Sequence, residues 1–373
     1  MATEPALPPD ATPGSADAGN TAAPAEADAA ARFRYLHSAN FPQLLAELAC
    51  SLWVSTYQAG KLIVVRAAGE RLSMLIRSFD RVMGVALRPD RVALGTRHQI
   101  WRLANAPDIA PRIEPAGQHD ACFLPRSSHV TGDVRIHELA WVGDDVWFVN
   151  TRFSCLASLD PRYSFLPRWR PPFVTALAAE DRCHLNGLAM DGDRPRFVTA
   201  LGATDTAGGW RENKARGGLV LDIDSGEIVL GGLSMPHSPR LHGGRLWVLD
   251  SGTGRLLSID PASGAAETVA ELPGYGRGLA LVGRYAFIGL SKFRETRTFG
   301  GLPIAERLAE PKCGVWVVDT ETGRTAATLE FAGQVSEIFD VALLAGIRFP
   351  SVIGLQKEDI GGIFVAPTGG VVR

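Results

Sequence analysis

A short apolar unit recurs along this chain at intervals of 40 to 54 residues, and few folds accept such a period. Leu52-Trp53-Val54-Ser55-Thr56 precedes a turn and then Lys61-Leu62-Ile63-Val64-Val65. Val146-Trp147-Phe148-Val149-Asn150 precedes Cys155 to Asp160, and Leu246-Trp247-Val248-Leu249-Asp250 precedes Leu256 to Asp260. Weaker copies centre on Leu94, Val198 and Ile288, so the six centres Val54, Leu94, Phe148, Val198, Val248 and Ile288 stand 40, 54, 50, 50 and 40 residues apart. Short β-branched and aromatic runs bounded by Gly, Asp and Asn read as strands. A unit of roughly 40–50 residues made only of strands and turns is a β-propeller blade.

Ten or eleven residues before each later centre lies a second short run: Gly84-Val85-Ala86, Glu138-Leu139-Ala140, Gly187-Leu188-Ala189, Ser238-Pro239-Arg240 and Gly278-Leu279-Ala280. These are the expected innermost strands. The first unit lacks one upstream, while Asp340-Val341-Ala342 is spare at the C-terminal end. The expectation is an all-β, single six-bladed β-propeller over residues 32–373, its ring closed by a C-terminal strand that completes the N-terminal blade. Residues 1–31 are Ala, Pro, Asp and Glu with few large apolar groups, and are expected to form a disordered tail. They lack the basic start and apolar stretch of a secretory signal. Five cysteines with no CxxC pair argue for a reducing, cytoplasmic setting. A net charge of −2 argues against nucleic-acid and membrane-surface partners, and no apolar run is long enough to span a bilayer.

In a propeller, the loops entering strand one and those joining strands two and three share a face. That face receives the long segments 113–135, 169–185, 201–217 and 290–313, and six of eight histidines: His98, His119, His129, His137, His184 and His237. Long loops on one face of a rigid scaffold usually carry binding and chemistry. Aligning the strand-one entries gives a ring of Met83, His137, Asn186, His237, Arg277 and Phe339, with Arg81, Arg135, His184, Met235, Tyr275 and Glu337 two residues earlier. Two residues later all are apolar. By strand alternation this predicts an axial pocket, polar at its mouth and apolar below.

His184-Leu185-Asn186-Gly187-Leu188-Ala189 resembles the Asn-Gly-Leu run of the senescence-marker-protein/gluconolactonase family of six-bladed propellers. That resemblance implies a divalent metal at the axis with Asn186 among its ligands. Where that family has a Glu, this chain has His137 or His237, and imidazole donors favour Zn, Mn, Fe or Cu over Ca. Across residues 40–350 the chain more closely resembles an uncharacterised bacterial family of conserved hypothetical proteins, through Ser55-Thr56-Tyr57-Gln58-Ala59-Gly60-Lys61, Pro125-Arg126-Ser127-Ser128-His129 and Gly209-Trp210-Arg211-Glu212-Asn213-Lys214. That resemblance implies no particular reaction.

The leading expectation is therefore a metal-dependent hydrolase or lyase acting on a small anionic substrate. His137, Asn186 and His237 would hold the metal, His184 and Glu337 would serve as further ligands or general base, and Arg277 and Arg81 would neutralise developing charge. Arg135, Arg211, Lys214 and Tyr275 would bind substrate. The alternatives are a His-liganded iron or copper oxidase on the same site, and a propeller that binds a ligand or protein without chemistry. Ser127, Ser128 and His129 lack a nucleophile elbow and an orienting Asp, and Cys183 points away from His184 on a strand, so neither is expected to act.

Overall fold

A computed structural model describes residues 34–292, 300–333, 335–355, 359–366 and 371–372. The expected tail and part of the 290–313 loop therefore lie outside the described residues. Six antiparallel sheets stand radially around one axis. Blade one is Asp340–Ala345, Cys50–Thr56, Lys61–Ala68 and Arg71–Ser78, from axis to rim. Blade two is Val85–Arg88, Arg91–Gly95, Gln99–Asn105 and Ala121–Val130, and blade three Ile136–Val142, Asp145–Asn150, Cys155–Asp160 and Tyr163–Trp169. Blade four is Leu185–Asp191, Arg194–Ala200, Gly218–Asp222 and Ile228–Leu233; blade five is Pro236–His242, Arg245–Asp250, Arg255–Ile259 and Ala266–Glu271. Blade six is Tyr275–Val282, Tyr285–Ser291, Gly314–Asp319 and Thr325–Phe331. All six sequence centres fall in second strands. No helix among the described residues is long and apolar enough to cross a membrane.

The expected closure is present: Val54 pairs with Val341 and Trp53 with Ala342. Two further strands overlap the ends of the chain. Tyr35–His37 pairs with the outer edge of blade six, and Pro350–Val352 lies parallel to the outer strand of blade two. Both cover edges that would otherwise expose unpaired backbone. One loop assignment changes. Ala121–Val130 is a strand, so segment 113–135 is not one long loop, and His119 precedes that strand at the opposite face, between the carbonyls of Phe349 and Glu114.

At the axis, alternate blades cap their neighbours. The carboxylate of Asp340 accepts from Val85 N at 2.9 Å, that of Glu138 from Leu188 N at 2.7 Å, and the Ser238 hydroxyl from Gly278 N at 3.0 Å. The intervening blades carry glycine at this level. A Cβ on Gly187 would lie 2.2 Å from Thr199 Oγ1 and 2.3 Å from Pro239 Cδ, so the Asn-Gly-Leu run needs its glycine for close blade contact. Arg240 reaches between the two acids, 3.0 Å from Glu138 and 3.7 Å from Asp340. An ionic layer thus divides the axis, where the sequence suggested a continuous apolar floor. Beyond it a cavity of about 420 Å³, walled by Val85, Leu139, Leu188, Leu279 and Val341, opens on the other face.

Burial, with Glu138 nearby and Arg240 opposing, pushes the Asp340 carboxyl up to about 7. A free carboxyl titrates near ~3.9, so the folded state holds this proton more tightly. Its contribution to stability is complete below about pH 4 and is lost as pH rises through about 7. Denaturant melts at pH 5 and pH 8 should therefore show a larger loss in the wild type than in Asp340→Asn; equal losses would refute the assignment. Gly187→Ala should destabilise by about 1–3 kcal/mol through overpacking, measured in the same melts.

Candidate functional site

The entries to the inner strands begin in an uncommon conformation. Arg81, Arg135, His184 and Met235 occupy equivalent positions in successive blades, with φ of 51, 54, 49 and 48°. Non-glycine residues rarely adopt this left-handed geometry, and such strain collects at functional sites. It also breaks the simple alternation assumed from sequence. These side chains are aimed by a turn, not by a strand.

The result is a cavity of about 350 Å³ at the axis, on the long-loop face. His137, Met83, Phe339 and Arg277 line it, with Arg81, Tyr57, Arg97, Asp133, Arg135 and His184 around them. Arg277 is the central cation. Its side chain is 15% exposed, its guanidinium lies 3.7 Å over the Phe339 ring, and Glu337 is 3.8 Å away. Among the described residues its guanidinium makes no hydrogen bond, the Glu337 contact being an ion pair. Burial lowers its pKa, against the opposing attraction of Glu337.

Two blades present the same imidazole device. His137 Nδ1 meets the Arg135 carbonyl at 3.1 Å and Thr151 Oγ1 at 2.7 Å, and that hydroxyl donates to Leu185 O of the next blade. His237 Nδ1 meets the Met235 carbonyl at 2.9 Å and Ser251 Oγ at 3.2 Å, and Ser251 donates to Gly276 O. A carbonyl only accepts, so the hydrogen of each neutral ring sits on Nδ1 and the lone pair on Nε2. Burial first, then Arg277 and His184, hold both imidazoles well below their ordinary pKa. His137 lines the cavity. His237 is buried beside Tyr275, their ring centres 5.7 Å apart.

His184 is oriented differently. Its Nδ1 donates to both oxygens of Asp181, at 3.0 and 3.1 Å, and its ring meets those of His137 and Trp210 at 5.0 and 4.5 Å. Asp181 is 7% exposed and also takes Arg135 Nη1 at 2.8 Å and Arg211 at 3.6 Å. Arg135 and Arg211 are thus held at the rim, Arg211 stacked over Trp210. Arg81 donates to Tyr57 Oη at 3.1 Å.

Other expectations are redirected. Asn186 accepts from Thr199 through Oδ1 at 2.7 Å and donates to Pro236 O at 3.0 Å, so its amide joins blades four and five, and it does not line the cavity. Tyr275 is packed with Leu201, Trp210, Met235, Leu302 and Ile304, its hydroxyl pushed above its ordinary pKa by burial, and it does not line the cavity. Lys214, half-buried after the Gly209–Asn213 turn, does not line it either. Cys183 is wholly buried, and desolvation pushes its thiol up to about 12, which leaves it inert.

Among the described residues, no three His, Cys, Asp or Glu side chains are placed to share a metal ion. The charges surrounding the cavity point the same way. Asp133 is paired with Arg97 and Arg152, Asp181 with Arg135 and Arg211, and Glu337 with Arg277. With Arg81 that makes six arginines against three carboxylates. Of the metal donors expected from sequence, His137 and His184 line the cavity, and Asn186, His237 and Glu337 are not in its lining.

Asp181, Thr151 and Ser251 escaped the sequence reading, although signals for them exist. Asp181 stands three residues before His184, and a hydroxyl follows each of His137, His237 and Arg277 by fourteen residues, at Thr151, Ser251 and Ser291. Ser291 repeats the contact, donating to Ile338 O of blade one.

No curated protein matches the chain. The crystal structure of a nidogen/laminin complex is similar in fold, with a TM-score of 0.53 at 12% identity over 80% of this chain and 99% of that one. A likeness so remote in sequence shows the fold alone. The family described as a domain of unknown function (DUF4915) matches over residues 39–353, and with its six blades and axial cavity the chain belongs to that family.

Proposed function

We propose that the protein binds a small organic anion in its axial cavity, of the carboxylate or phosphate kind. The observation that carries this reading is Arg277, a largely buried guanidinium on the cavity wall whose nearest carboxylate is 3.8 Å away. A buried charge without full hydrogen bonding costs several kcal/mol. An anion entering the cavity supplies the missing partner, and guanidinium geometry suits a carboxylate or phosphate in bidentate contact. Arg81 and Arg135 at the mouth would draw such a ligand inward, and Phe339 and Met83 would cover its apolar part. This is the ligand-binding alternative raised from sequence, with its ligand's charge kept and the metal set aside.

Thermal melts and calorimetry with acetate, succinate and inorganic phosphate test it. At least one should raise Tm, by the equivalent of about 2.7 kcal/mol at a hundredfold excess over Kd. Arg277→Met should abolish the shift while keeping or raising the stability of the free protein, since it removes a poorly compensated charge. No response to any of the three, or an equal response in Arg277→Met, would overturn the reading.

A further inference from the structure

The cavity also contains a base. We propose that it catalyses proton abstraction from a carbon next to the carbonyl of a bound carboxylate, with His184 as base, Asp181 as its positioning residue and Arg277 facing the developing enolate. The inference rests on the anion-binding reading and extends it from binding to chemistry.

His184 Nδ1 is committed to the Asp181 carboxylate, so the lone pair of the neutral ring sits on Nε2. Among the described residues, Nε2 has no hydrogen-bond partner, and His184 lines the same cavity as Arg277. Asp181 is fixed in turn by Arg135 and by its backbone bond to Arg152 O at 2.8 Å. Both Asp181 and His184 adopt positive φ, 51 and 49°, so the fold holds the pair in a conformation that neither residue prefers. Among the described residues the cavity lining contains no Ser, Thr or Cys, so none of them offers the usual nucleophile of a covalent acyl-transfer route. Of the two imidazoles that line the cavity, His184 alone has a carboxylate on its Nδ1, and such a base beside an incompletely paired cation suits a reaction that moves one proton and creates one negative oxygen.

The step balances without a further reagent. Nε2 takes the proton from the carbon next to the carbonyl, the C–H electron pair forms the carbon–carbon double bond, and the carbonyl pair moves to oxygen. Arg277 faces that oxygen. Return of a proton from the imidazolium restores substrate or yields its isomer, and in D2O the returned atom is deuterium.

Pyruvate and 2-oxoglutarate are direct probes, because both carry a carboxylate and exchangeable hydrogens beside a carbonyl. Each is incubated with the full-length protein in D2O, exchange at carbon 3 is followed by proton NMR, and binding is measured by calorimetry on the same samples. Exchange well above the protein-free rate is expected for a probe that binds. His184→Gln should slow it on the order of 10²–10⁴-fold with affinity within a few-fold of wild type. Asp181→Asn should lower kcat with little change in KM, which a purely structural role would not do in a variant that melts normally. Binding without exchange, or exchange unchanged in His184→Gln, overturns the proposal and leaves the binding reading intact. Failure of both probes to bind counts against the site as a carboxylate site and takes the catalytic proposal with it.

Discussion

One backbone N–H in each alternate innermost strand is capped by a side chain of the neighbouring blade, and the axis is arranged around that contact. Asp340, Glu138 and Ser238 reach sideways to Val85, Leu188 and Gly278. Each capped blade carries glycine at the same level, because a Cβ there would strike its neighbour. Two of the caps are carboxylates, so burying them calls for a counter-ion, and Arg240 fills the space between. Such a layer adds little net stability compared with apolar packing; its role is better described as fixing which strand lies beside which. Because Asp340 comes from the C-terminal strand, closing the ring and completing the axial layer are one event.

Above that layer, hydroxyl contacts between blades set the imidazoles. Thr151 and Ser251 each hold one histidine ring while tied to the next blade's carbonyl, so the aim of His137 and His237 depends on correct blade spacing. The histidine rings are consequently fixed by the architecture itself. Arg277 occupies the corresponding place in blade six, with Ser291 making the same contact to blade one. One repeated position thus yields a neutral acceptor in two blades and a cation in a third.

The blade count, the second strands and the C-terminal closure were legible in the sequence, because all three depend on apolar runs of fixed spacing. The overlap of Tyr35–His37 with blade six was not, since three residues pairing at a rim leave no periodic trace. The mouth was legible as a set of positions and misread in its geometry. Strand alternation cannot describe residues held at positive φ, and four of the six upstream positions are in that state. Asn186 was identified by its neighbours Gly187 and Leu188, yet what that motif serves here is contact with Pro236 and Pro239 of the next blade. Asp181 went unnoticed because its partnership with His184 is made across a tight turn, where no strand or helix period applies.

The sign of the ligand follows from what the mouth lacks. A divalent ion needs anionic or neutral donors that converge. Here the ring reads Phe339, Met83, His137, Asn186, His237 and Arg277, with no carboxylate and a fixed positive charge. The acids that do approach the cavity, Asp133, Asp181 and Glu337, are each already paired with arginine, which restricts their freedom to turn inward. Burial and Arg277 itself lower the pKa of His137 and His237, so these rings add no second positive charge beside the guanidinium. This excess of arginine over free carboxylate is what the proposed carboxylate ligand would answer. Once a carboxylate is in place, the lone pair that Asp181 leaves on His184 Nε2 has no competing hydrogen-bond partner among the described residues. In the proposed reaction, recognition and proton transfer draw on one set of residues, assembled from blades one, two, three, four and six.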